Sequence, residues 1–111
     1  MEERFDVLFL EDARTFLASL DEKTRTKILY NIDKARILND PKLFKKLTNT
    51  IWEFRTKYNG SHYRLLAFWD KSDKSETLVI STHGFVKKTD KVSGNELERA
   101  EKLRQAYFEE N

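Results

Sequence analysis

A chain of 111 residues fits one compact domain, and its 39% hydrophobic and 13% aromatic content can fill one core although 36% of it is charged. With no Cys, neither a disulfide framework nor a thiolate zinc site can form, and three Gly with one Pro argue against long flexible linkers. The net charge of +2 is uneven: residues 45–91 hold ten Lys/Arg against five Asp/Glu, while both flanking segments are slightly acidic.

A basic centre between acidic flanks is what one cationic face on a single domain produces, and phosphate backbones are its commonest target. An ordinary Lys-rich surface gives the same charge. The opening Met-Glu-Glu-Arg is acidic, and the early apolar run, Val7 to Leu10, is too short for a signal peptide or membrane span. The expectation is a soluble, cytoplasmic protein without membrane contact, folded as one domain over residues 1–111.

In chain order, Phe5, Val7 and Phe9 alternate against Arg4, Asp6 and Leu8, which predicts a strand over Arg4 to Leu10. From Asp12 the period lengthens: Ala13, Phe16, Leu17 and Leu20 form one helical stripe. Asp21 followed by Glu22 marks a break and a new N-cap. A second helix then runs to about Leu38 and buries Ile28, Ile32 and Ala35. Asn39-Asp40-Pro41 ends it, and Lys42 to Leu47 reads as one short helical turn.

Three β-type runs follow. Ile51, Glu53 and Arg55 share one face of the first, and Trp52, Phe54 and Thr56 the other. Tyr58-Asn59-Gly60-Ser61 is hairpin chemistry. The second run is His62 to Trp69, the charged loop is Asp70 to Ser75, and Thr77 to Phe85 is rich enough in Val, Ile and Thr for a central strand. Ser93 and Glu96 fit a capping box ahead of a final helix striped by Leu97, Ala100, Leu103 and Tyr107. The expected order is β-α-α-β-β-β-α: an α+β fold, with a small antiparallel sheet, two N-terminal helices on one face, and a C-terminal helix.

Glycine-rich phosphate loops and dinucleotide fingerprints are absent. Two His without Cys and without paired spacing do not read as a transition-metal site, and no cofactor is called for. What remains is a cationic set on adjacent strands: Arg55, Arg64, Lys87 and Lys88, with Lys57 and Lys91 nearby. Arg suits phosphate because its planar fork bonds two oxygens at once and stays charged. Tyr58, Tyr63 and Phe85 could stack on single-stranded bases. The plain structural reading is that Arg55 pairs with an acid such as Glu53 and that Lys87-Lys88 is a solvated strand end.

Ile-Trp-Glu-Phe-Arg at 51–55, the Tyr63-Arg64 pair, and His83-Gly84-Phe85-Val86-Lys87-Lys88-Thr89 together resemble the signature of RelE/HigB-type toxins. The likeness is greatest to the phage-derived HigB-like branch. There a Leu-Trp-Glu-Leu-Arg strand, a Tyr-Arg strand and a Gly-Phe-x-Lys-Lys-Thr segment recur in this order before a Glu-rich helix. Here that helix carries Glu96-Leu97-Glu98-Arg99-Ala100. Ile51 stands where Leu is usual, and Val92-Ser93 where a Pro often precedes the helix.

The resemblance implies a RelE-like fold and a metal-independent endoribonuclease that cuts messenger RNA at the ribosome. It also implies silencing by a cognate antitoxin, a small helix-turn-helix protein encoded in a neighbouring gene. In such a scheme a 2′-OH attacks its own 3′ phosphate, and cations stabilise the developing charge. Arg64 is the first expectation for phosphate contact and Arg55 the second, with Glu53 orienting Arg55. Lys87 or Lys88 would take the proton, helped by cationic crowding, and His83 is an alternative carrier. Lys57, Tyr58, Tyr63, His83 and Lys91 are the expected RNA contacts. Two rival readings stay open: a ParE-like gyrase inhibitor of the same fold, and a non-catalytic nucleic-acid-binding module.

Overall fold

The computed structural model describes residues 2–73, 77–88 and 91–110. Thr89 of the Lys-Lys-Thr segment and the end of the loop expected over 70–75 lie outside these residues. The elements are β1 (Asp6–Phe9), α1 (Glu11–Ala18), α2 (Glu22–Ile37), β2 (Phe44–Lys46), β3 (Trp52–Tyr58), β4 (Ser61–Asp70), β5 (Leu78–Lys87) and α3 (Gly94–Glu110). The strands form one sheet in the order β1-β5-β4-β3-β2.

Local chemistry sets several boundaries. The Asp21 carboxylate accepts from the Thr24 backbone N–H at 3.1 Å and starts α2 as the sequence predicts. Asn59 and Gly60 both take positive φ, at 52° and 82°, and join β3 to β4 through a two-residue turn whose twist matches the strands. Before α3, Ser93 Oγ accepts from the Glu96 N–H at 3.3 Å, which is half of the expected capping box. The other half does not form, because the Glu96 side chain is bonded to His83 instead.

Three expectations need correction. Lys42 to Leu47 is not a helical turn: Phe44–Lys46 pairs antiparallel with β3 as a short edge strand, with Phe44 opposite Phe54 and their rings stacked at 4.3 Å. That long-range ring contact outweighs the weak local pattern of six residues. The sheet is also not wholly antiparallel, since β1 runs parallel to β5 and lies at the edge. Finally, the helices divide between faces. On one face α1 and α2 cover Phe54, Leu65, Ala67 and Val79, with Phe5, Leu17, Ile28 and Ile32 among the buried partners. On the other, α3 brings Ala100, Leu97 and Tyr107 to Leu66, Phe68 and Ile80.

One irregularity decides which side chains share a face. Leu66 pairs with His83 but Ala67 with Ser81, so Thr82 is an extra residue in β5. Such a bulge shifts the alternation by one. Beyond it, His83, Phe85 and Lys87 point to the α3 face, and Gly84 and Val86 to the α1/α2 face. Gly84 lies beneath the Phe16 ring of α1, so closely that a Cβ would overlap it.

Candidate functional site: a cationic cluster on the α3 face

Beyond the Phe68 row that α3 covers, the strand register stacks three rows that carry most of the charged side chains of this face. Glu53, Leu66 and His83 form the first, Arg55, Arg64 and Phe85 the second, and Lys57, His62 and Lys87 the third. The hairpin fixes the β3–β4 register, and the bulge puts Lys87 rather than Lys88 beside His62. The third row and Arg55 are accessible: Lys57 and His62 are exposed, Lys87 is half-buried, and 30% of the Arg55 side chain is exposed.

Beneath them lies a buried charge assembly. Glu53 makes ion pairs with Arg55 at 3.3 Å and with Arg64 at 3.4 Å, and only 3% of the Arg64 side chain is exposed. Arg64 also donates to the Tyr63 carbonyl at 3.1 Å. The Nε atoms of both arginines and Glu53 Oε2 are buried with ion-pair contacts but no aligned hydrogen bond. One carboxylate against two guanidiniums leaves an excess positive charge under the surface. Burial lowers the Arg64 pKa from its ordinary value, with Arg55 adding to the effect and Glu53 opposing it.

Arg64 is therefore not a surface phosphate contact in this state. It lies behind Arg55 and lends its field to the face. His62, to which the sequence reading assigned no site role, is the exposed imidazole of the cluster. Its pKa is lowered from 6.5, first by desolvation and then by Arg64, Lys57, Lys87 and Arg55. The ring is thus mostly neutral at pH 7 and able to accept a proton. A usable signal was present in the sequence: hairpin register alone places His62 opposite Lys57.

The other expected residues separate. His83 is fully buried, with Nε2 3.2 Å from Glu96 Oε1 and Nδ1 3.0 Å from the Thr82 hydroxyl. Since a carboxylate only accepts, Nε2–H donates to Glu96, while the Thr82 hydroxyl lies between Nδ1 and the Leu66 carbonyl, 3.3 Å away. Desolvation and Arg99 lower the His83 pKa, against Glu96 and Asp12. His83 thus joins β5 to α3 and does not meet solvent. Tyr63 and Tyr58 fall by alternation on the α1/α2 face, where Tyr58 borders a hollow with Tyr30, Lys23 and Lys27. Lys88 follows the last residue of β5 and is exposed, and Lys91 is exposed ahead of α3. The cluster therefore gathers Arg55, Lys57, Arg64 and Lys87, adds His62, and leaves Tyr58, Tyr63 and His83 outside.

Among the described residues no helix is long and apolar enough to cross a membrane. A family model described as phage derived protein Gp49-like (DUF891) matches residues 15–105, from within α1 into α3. No curated protein matches the chain.

Proposed function

The chain belongs to the phage-derived Gp49-like family, whose members are toxins of toxin–antitoxin systems in the RelE-like superfamily, and from that premise we propose that it is a HigB-type endoribonuclease that cuts messenger RNA on the ribosome. The observation that carries the reading is the solvent-accessible row Lys57–His62–Lys87 with Arg55 beside it: three cations around a neutral imidazole. Transesterification of RNA needs those two kinds of group.

In this mechanism His62 accepts the proton of the 2′-OH, and the 2′ oxygen forms its new bond to the adjacent phosphorus. Arg55 and Lys57 hold the non-bridging oxygens as charge builds on them. The bond to O5′ breaks, and the Lys87 ammonium supplies the proton that O5′ needs to leave as a hydroxyl. The products are a 2′,3′-cyclic phosphate and a 5′-OH. Arg64 and Glu53 hold Arg55 at its angle to the surface. The site has little enclosure, so positioning of the RNA must come from elsewhere, and the ribosome supplies it.

Family membership implies a cognate antitoxin, which we take to be a small helix-turn-helix protein encoded next to the toxin. Expression of the protein alone in growing cells tests the reading. Messages should be cut while chromosomal DNA stays intact. DNA breaks with intact messages would instead favour a gyrase inhibitor.

A further inference from the structure

At the far end of the sheet from the cluster, a groove of about 460 Å³ is lined by Lys46, Asn49, Thr50, Trp52, Trp69, Lys71 and Arg104. Trp69 is five residues beyond Arg64 along β4, on the order of 17 Å in an extended strand, and alternation puts it on the opposite face. The two indoles meet edge to face at 5.8 Å, and both stay partly exposed. The Lys71 ammonium rests 5.5 Å over the Trp69 ring. Lys46 ends the edge strand β2, with its backbone opposite Trp52. Arg104 is shared with Glu101 at 3.5 Å, and Glu101 also accepts from the Thr50 hydroxyl.

Among the described residues no carboxylate lines the groove itself, and Glu101 sits behind Thr50 and Arg104. The groove combines two partly exposed indoles set at 83° to each other, with Trp52 backed by the Phe44 ring, two lysines on flexible stems, and amide and hydroxyl groups in Asn49 and Thr50. Planar π surface beside mobile cations suits an unpaired base and its phosphate: stacking contributes about 1–3 kcal/mol per base, and each lysine neutralises backbone charge. An acidic peptide would use the lysines but leave the indoles idle.

We propose that this groove is a second binding site for single-stranded nucleic acid, taking a base against Trp52 and Trp69 and its phosphate on Lys46 and Lys71. On binding, Lys71 exchanges its place over Trp69 for the phosphate, and the base takes the ring face. The inference rests on the proposed RNA substrate only for the identity of the strand, since binding here needs no cleavage.

The protein has two tryptophans, and both line this groove, so indole emission reports on it directly. The test titrates the whole protein with an unpaired 2′-O-methyl oligoribonucleotide, which lacks the attacking hydroxyl, and follows emission together with anisotropy of an end label. Saturable quenching should appear, weaken at higher salt, and survive Arg55→Ala in the remote cluster. Lys46→Ala with Lys71→Ala should raise the half-saturating concentration at least tenfold while the circular dichroism spectrum is unchanged. Label anisotropy that rises without any change in emission would overturn the proposal. Failure of the oligonucleotide to bind would do the same, as would equal quenching by polyglutamate. Quenching by RNA from a protein that never cuts a translated message would sink the nuclease reading and leave the groove standing.

Discussion

At the scale of single residues, the account turns on which groups reach solvent. His62 is exposed and held neutral by desolvation and four surrounding cations, so its base form should persist below pH 6.5. Single-turnover cleavage should hold its rate as pH falls to that point and decline only below it. His62→Gln should lower the rate on the order of 10²- to 10⁴-fold and abolish that acid limb; an unchanged limb would assign the proton to another group. Arg64 behaves differently because it is buried against Glu53. Arg64→Ala should cost on the order of 3 kcal/mol in denaturant unfolding, since half of Glu53's pairing is lost. Arg64→Lys keeps the charge but not the planar fork, and should recover most of the stability while cutting slowly. Wild-type stability in Arg64→Ala would contradict the buried pairing.

At the scale of elements, β5 carries two constraints that read as site chemistry in the sequence and are packing in the structure. Gly84, in the His-Gly-Phe segment, has the Phe16 ring where a side chain would begin. Gly84→Ala should destabilise the fold by about 1–3 kcal/mol through displacement of α1. Phe16→Leu combined with it should restore part of the loss, measurable as a coupling in a double-mutant cycle. His83 spans from Thr82 to Glu96 and draws that carboxylate away from the helix cap. What local chemistry decides was readable: the Asn59-Gly60 turn, the Asp21 cap and the stripes of α1, α2 and α3 each depend on near neighbours. What distant contacts decide was not. Phe44 enters a strand because its ring meets Phe54, and a three-residue edge strand has no period to read. The bulge at Thr82 leaves no local signature either, yet it selects Lys87 over Lys88 for the cationic face. The apolar stripe of α3 says that it packs, but not on which side of the sheet.

At the scale of the whole molecule, the sheet separates two surfaces. Helices α1 and α2 close one face, α3 closes part of the other, and the uncovered end of that second face holds the exposed cations. The basic excess of residues 45–91 was legible as charge, and the motif resemblance supplied its expected purpose. The geometry then redistributed the roles: Arg55, Lys57, His62 and Lys87 at the surface, Arg64 and Glu53 below, and the tyrosines on the opposite face. On the proposed reading, a site this open depends on a partner to present its substrate. The most direct measurement is therefore to incubate purified protein with one message, translated by ribosomes or naked, and to determine both cleavage rates and the chemistry of the new ends. The account predicts rapid cutting only of the translated message, leaving 2′,3′-cyclic phosphate and 5′-OH ends. Equal rates on naked RNA, or a translated message that stays intact, would contradict it.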